Sequence, residues 1–176
     1  LCGAYVLEVP RTADHEIDVA STLDALTPET KMIILCSPNN PTGNPVSEAD
    51  VLALLESGCI VVVDEAYVEF SNQPAGLAHL VPQHRNLIVL RTFSKWAGLA
   101  GLRIGYGLFP KWIASYMHRA QCPFEVNAAG HIAAIATLND LDYVMGNVRK
   151  IVQERERLFT VLTNQPYLEA TPSQGN

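Results

Sequence analysis

Arg91-Thr92-Phe93-Ser94-Lys95 runs into a glycine-containing turn, and Arg103 follows eight residues after the lysine. One ammonium, two hydroxyls and a guanidinium this close together suit an anionic ligand, because arginine offers a fork of donors and hydroxyls add short bonds. The lysine could instead be a nucleophile, if its neighbours lower its pKa. A solvated loop is the plain alternative, and this stretch alone does not decide. Two earlier stretches bear on it. Asn40 lies in Ser37-Pro38-Asn39-Asn40-Pro41-Thr42-Gly43, a dense cluster of turn formers. Asp64 closes an apolar run, and Tyr67 comes three residues later. Each has a structural alternative: Asn40 as a turn residue, Asp64 as a cap or ion-pair partner, Tyr67 as core packing.

The elements that must position these residues can be read from apolar pattern and turn chemistry. Continuous apolar runs over 31–36, 59–64 and 87–90 predict strands, the first probed by apolar residues throughout after its lysine and so expected to be buried on both faces. Residues 4–9 and 104–108 predict two more. Residues 18–26 carry a helical pattern with an acidic start. Ser47 caps a helix over 48–56, with Asp50 three residues on in the capping-box position, and Gly58 ends it. Pro110 at the first helical position opens a helix to 119. Asn127 caps another to 138, and a long amphipathic helix runs over 142–162. Its apolar positions are Val144, Val148, Ile151, Leu158, Val161 and Leu162, with Arg149, Lys150, Arg155 and Arg157 on its polar side. Pro166 stops it, and 167–170 has the pattern of a further strand. Alternating strands and helices imply an α/β fold, a mostly parallel sheet with helices on both faces. In such sheets ligands bind past the carboxyl ends of the strands. Asn40, Asp64, Tyr67 and Lys95 all fall there, so they should share one sheet edge.

The 176 residues suffice for a domain with a real core, and a net charge of −6 argues against a nucleic-acid partner. No apolar run approaches the ~18 residues of a membrane span, and no signal-peptide pattern is present. The four cysteines (Cys2, Cys36, Cys59, Cys122) form no CxxC pair, which gives no zinc pattern and no metal expectation. Cys36 and Cys59 read as buried free thiols, which fits a reducing, cytoplasmic setting. The five histidines (His15, His79, His84, His118, His131) show no ligand spacing and read as surface or packing residues.

Three motifs occur in order: Ser37-Pro38-Asn39-Asn40-Pro41-Thr42-Gly43, Val63-Asp64-Glu65-Ala66-Tyr67, and Thr92-Phe93-Ser94-Lys95 with Arg103. Together they resemble the fold-type I pyridoxal-phosphate enzymes of the class I/II aminotransferase superfamily. The wording around Asp64 and from Arg91 to Gly107 is most similar to the histidinol-phosphate aminotransferases. The resemblance implies pyridoxal 5'-phosphate as cofactor, with Lys95 as its covalent anchor and then a proton shuttle. It implies Asp64 at the pyridine nitrogen, Asn40 and Tyr67 at the ring O3′, and Thr92, Ser94 and Arg103 at the phosphate. Lys95, Asp64 and Tyr67 are thus the catalytic candidates. The implied reaction is transamination of L-histidinol phosphate, with 2-oxoglutarate as the second small-molecule partner, in histidine biosynthesis.

Proteins of that superfamily are about twice this length. They carry a ring-stacking aromatic earlier in the chain and a carboxylate-binding arginine later. The expectation is therefore a fragment, inactive by itself: a partial large cofactor-binding domain over 1–139, the interdomain helix over 140–165 and the start of a small domain over 166–176. The whole protein is expected to be a homodimer with neither a nucleic-acid nor a membrane partner. Two other functions are compatible with these residues. One is a threonine-phosphate decarboxylase of the same fold; the other is a cofactor-free binding or assembly fragment. The intact set Lys95, Asp64 and Arg103 argues against the second.

Overall fold

In a computed structural model, which describes residues 3–176, the four central strands pair as the apolar runs predict; Cys2 lies outside the described residues. The strands are β1 (Met32–Cys36), β2 (Ile60–Asp64), β3 (Leu87–Thr92) and β4 (Gly105–Leu108), in spatial order β1-β2-β3-β4. The first three are parallel and β4 runs antiparallel to β3. Helix α1 (Val19–Asp24) precedes β1; α2 (Glu48–Leu55) links β1 to β2, and two 3₁₀ turns, Val68–Phe70 and Ala78–Leu80, lie between β2 and β3. The expected caps at Ser47 and Asn127 are in place, and Asp18 caps α1 as well. Asp18 accepts from Ser21 N–H at 2.9 Å, and Ser47 Oγ accepts from Asp50 N–H at 3.1 Å while bonding Asp50 Oδ2 at 2.6 Å. Helices α3 (Lys111–Ala120), α4 (Ala128–Asn139) and α5 (Leu141–Thr163) complete the described residues. Pro110 is the residue before α3 and not its first; its extended ψ of 145° keeps it outside the helix.

One sheet face is the main core. Ile33, Leu35, Val61, Val63, Leu87 and Val89 pack against Val51, Leu54 and Leu55 of α2 and against Leu77, Leu80 and Val81. Each fully buried valine or leucine contributes about 1.5–3 kcal/mol relative to exposure. On the opposite face Ile113 of α3 covers Val62 and Ile88. That cover does not reach β1, where Ile34 is 71% exposed. The expectation of burial on both faces therefore holds for β2 and fails for β1, because a strand's second face is buried only where a helix lies over it.

Two predicted strands are absent. Residues 4–9 and 167–170 are without regular structure, and Tyr5 and Val6 are almost wholly exposed. A strand needs a neighbour to complete its ladder, and neither segment pairs with one among the described residues. Cys36 and Cys59 are free but only partly buried. In α5, the predicted stripe divides: Val148 is buried with Phe70, Phe93, Trp96 and Ala134 and Val144 packs beside it, whereas Ile151, Leu158 and Val161 are exposed. Arg155 is not on the polar surface. Its side chain is 11% exposed, because it turns toward backbone carbonyls of other segments. No helix of the described residues is long and apolar enough to cross a membrane.

Candidate active site

The parallel register sets the level of the site. Cys36 stands opposite Asp64, and Asp64 opposite Leu90, so the chain leaves β1, β2 and β3 at one edge. The Asn40 turn, Asp64 with Tyr67, and the Lys95 loop follow at that edge, as the motif positions predict. Ser37 N–H donates to Asp64 O at 2.9 Å and Glu65 N–H donates to Leu90 O at 2.8 Å, which continues the sheet bonding past the strand ends. The turn itself carries cis bonds at Ser37–Pro38 and Asn40–Pro41.

Asn40 and Tyr67 meet: Asn40 Nδ2 donates to the Tyr67 hydroxyl at 2.9 Å across 27 residues of sequence. The Lys95 ammonium lies 5.2 Å from the Tyr67 ring centroid, close enough for a cation–π attraction. Asp64 Oδ1 accepts from Ala66 N–H at 3.0 Å, and its other carboxylate oxygen takes no hydrogen bond among the described residues. Asn40, Lys95 and Arg103 are exposed, whereas Asp64, Tyr67, Thr92 and Ser94 are partly buried. The edge is therefore open to a ligand.

Ser94 and Arg103 are brought together by the antiparallel return of β4. Thr92 pairs with Gly105, and Phe93 N–H donates to Ile104 O at 3.1 Å, which places Arg103 at the level of Ser94. Arg103 takes a left-handed backbone conformation, φ 54° and ψ 48°, which costs a residue with a Cβ about 1–2 kcal/mol. Its Nη1 donates to Ala100 O at 2.9 Å, and its other donors have no partner among the described residues. Thr92 behaves differently. Its hydroxyl donates to Ile104 O at 3.3 Å and accepts from Ser94 N–H at 3.0 Å, so in this arrangement it shapes the turn that presents Ser94.

Beneath the edge is a buried ion pair that motif reading missed. Arg91 Nε and Nη2 donate to Glu65 Oε2 at 2.9 and 2.7 Å, and Leu77 N–H donates to Glu65 Oε1 at 2.6 Å. Glu65 is 1% exposed. Its charge is tolerable there because both oxygens are bonded. Gly76, at φ 55°, faces that carboxylate with no space for a Cβ. The parallel register that sets Asp64 opposite Leu90 brings Glu65 and Arg91 to the same level just past it.

Glu69 is a second carboxylate near this pair, and its Oε2 is buried without a partner. Burial pushes its pKa up from 4.5 to about 7; the Arg91 guanidinium pulls it down and Glu65 adds to the rise. A raised carboxyl pKa in the folded state means that folding takes up a proton. The stability this gives is full below pH 4.5 and is lost as pH rises through about 7. Urea midpoints of the protein and of Glu69→Gln should therefore diverge between pH 5 and 7.5, with the glutamine variant gaining on its parent as pH rises. Parallel midpoints across that range would mean that Glu69 ionises freely in the folded protein.

The family model described as aminotransferase class I and II matches residues 1–176. A histidinol-phosphate aminotransferase of Dehalococcoides mccartyi is 46% identical over 171 residues, covering 97% of this chain and 47% of that protein. The chain thus spans about half the length of the curated relatives it matches. Among solved structures, the histidinol-phosphate aminotransferase from Sinorhizobium meliloti in complex with pyridoxal-5'-phosphate superposes with a TM-score of 0.86 at 32% identity, over 98% of this chain and 48% of that one. The L-threonine-O-3-phosphate decarboxylase from Porphyromonas gingivalis matches with a TM-score of 0.72 at 28% identity, over 82% of this chain and 45% of that one.

Proposed function

The chain belongs to the aminotransferase class I and II family, and from that premise we propose that the protein is a pyridoxal-phosphate-dependent aminotransferase that moves the amino group of L-histidinol phosphate to 2-oxoglutarate, a step of histidine biosynthesis. The observation that carries this reading is the meeting of Asn40, Tyr67 and Lys95: a 2.9 Å amide–phenol bond with the ammonium 5.2 Å from the same ring. Identity of 46% to a relative named for that reaction supports the substrate. Residues 1–139 are the cofactor-binding domain in this reading, 140–165 the helix between domains and 166–176 the beginning of a smaller domain. The whole protein works as a homodimer. The free thiols Cys36, Cys59 and Cys122 fit a reducing, cytoplasmic setting.

The donor set suits pyridoxal phosphate. The unpartnered oxygen of Asp64 can hold a proton on a ring nitrogen, and the uncommitted donors of Ser94 and Arg103 suit a phosphate. Thr92 joins them if its hydroxyl turns from Ile104. Asn40 and Tyr67 would bond the ring's phenolic oxygen. When bound, the cofactor supplies an electron-withdrawing ring that stabilises negative charge at the substrate's α-carbon. Lys95 would hold the cofactor through its amine, and that amine would take the proton removed from the substrate's Cα. The carboxylate of Asp64 would favour a proton on the ring nitrogen.

Incubating the whole protein with L-histidinol phosphate and 2-oxoglutarate should yield glutamate. Carbon dioxide release from threonine phosphate, without glutamate, would replace this reading with the decarboxylase that the structural match to that enzyme raises. Arg103→Ala is expected to weaken cofactor binding by about 1.5–3 kcal/mol, the range for a hydrogen bond to a charged group. Arg103→Lys should recover only part, because a point charge cannot replace the fork. An unchanged dissociation constant for the alanine variant, measured by equilibrium dialysis of the cofactor, would take Arg103 out of the site.

A further inference from the structure

Segment 173–176 lies over the Asn40 turn and forms one wall of an open pocket of about 100 Å³, with Asn39, Asn40, Tyr67, Ser173, Gly175 and Asn176 among its lining. Its fastening is specific. Gln174 N–H donates to Gly43 O at 2.9 Å, and Gln174 Oε1 accepts from Asn72 N–H at 3.2 Å. Gly43, at φ 77°, has Ser173 where its Cβ would be, so the segment sits flat on the turn. On the other side Arg155 Nη1 donates to Gly175 O at 2.7 Å and to Phe70 O at 3.0 Å. The remaining guanidinium donors, Nε and Nη2, grip Glu156 Oε1 at 2.8 and 2.6 Å, which holds the fork in its plane.

These bonds form a closed circuit. Phe70 N–H donates to Tyr67 O at 3.1 Å, and the Tyr67 hydroxyl accepts from Asn40. Asn40 is joined through its turn to Gly43, and Gly43 O is held by Gln174. Arg155 closes the ring between Phe70 and Gly175. We propose that Arg155 is a positioning residue of the candidate site, fastening segment 173–176 to the turn that carries Tyr67 and so fixing where the Tyr67 hydroxyl stands beside Asn40. One guanidinium nitrogen serves two carbonyls from segments 105 residues apart in sequence, and a surface arginine has no need of that geometry. The fastening stands apart from the proposed function; its consequence for cofactor binding rests on that reading.

Hydrogen exchange on the whole protein without cofactor tests the fastening. In Arg155→Met the amides of Asn72 and Gln174 should exchange at least about tenfold faster, the effect of losing one charge-assisted hydrogen bond, while the amides of β2 and β3 stay as they were. Arg155→Lys should restore part of the protection. Gly43→Ala should release the same two amides with Arg155 intact, which keeps the test open if the methionine variant folds poorly. Unchanged exchange at Asn72 and Gln174 in both variants overturns the proposal. Coupling to the site is tested by a double-mutant cycle on pyridoxal phosphate affinity with Arg155→Met and Tyr67→Phe. If Arg155 acts through Tyr67, it weakens binding in the parent by about five- to tenfold and has almost no effect in the Tyr67→Phe background. Equal losses in both backgrounds would overturn the positioning role. If the parent binds no cofactor, the functional reading fails, and the exchange arm still decides the fastening.

Discussion

Lys95→Ala is expected to abolish amine transfer, with a loss of at least about 10⁴-fold, the upper end of what a positioned acid–base group contributes. The lysine is asked to do two things: hold the cofactor and move a proton. Its surroundings allow both. Lys95 lies three residues past the end of β3, exposed at the open edge, and its ammonium stands 5.2 Å from the Tyr67 ring centroid. It makes no salt bridge or hydrogen bond among the described residues, so its amine is free to meet a ligand. Lys95→Arg separates charge from nucleophilicity. Arginine keeps the cation, but cannot be deprotonated, and should be as inactive as alanine. Borohydride treatment of the whole protein with cofactor should fix the pyridoxyl group to the peptide carrying Lys95. A label on any other lysine would remove Lys95 from its role.

The second large effect is at Asp64. Asp64→Ala should lower turnover by about 10²–10³-fold, the range for removing one preorganised electrostatic partner, while cofactor still binds through Lys95, Ser94 and Arg103. Asp64 ends β2, an inner strand bonded on both sides, so its backbone cannot drift. One carboxylate oxygen is taken by Ala66 N–H; the other is left for a ligand. Asp64→Glu should fall between the two, since the charge remains but reaches to the wrong place. Asp64→Asn tests the charge itself, because the amide can still accept from Ala66. Parent-like turnover in Asp64→Asn would reduce Asp64 to the local turn that its bond to Ala66 makes.

These expectations rest on features with unequal visibility in the sequence. The central strand runs, the caps at Ser47 and Asn127, and the long helix are legible because their causes are local. A strand reads out in consecutive residues, and a cap joins residues three apart, as Ser47 joins Asp50. The motif order placed Asn40, Asp64, Tyr67 and Lys95 on one edge, because parallel strands share their carboxyl ends.

Wherever the partner is distant, the chain alone was silent. Arg91 and Glu65 are 26 residues apart, and Arg155 and Phe70 are 85 apart; neither pair has a fixed spacing that composition or periodicity could register. Helical position puts Arg155 on the polar face of α5, because it predicts which side a residue occupies, not what lies against that side. The same reason explains the exposed face of β1 and the unpaired residues 4–9: apolar character marks a segment as able to pack or pair, but only the arrangement of its neighbours supplies something to pack against. Residue type and local order thus determined the elements and the chemistry at their ends. The tertiary structure decided which of those groups are held, by whom, and which are left free to bind.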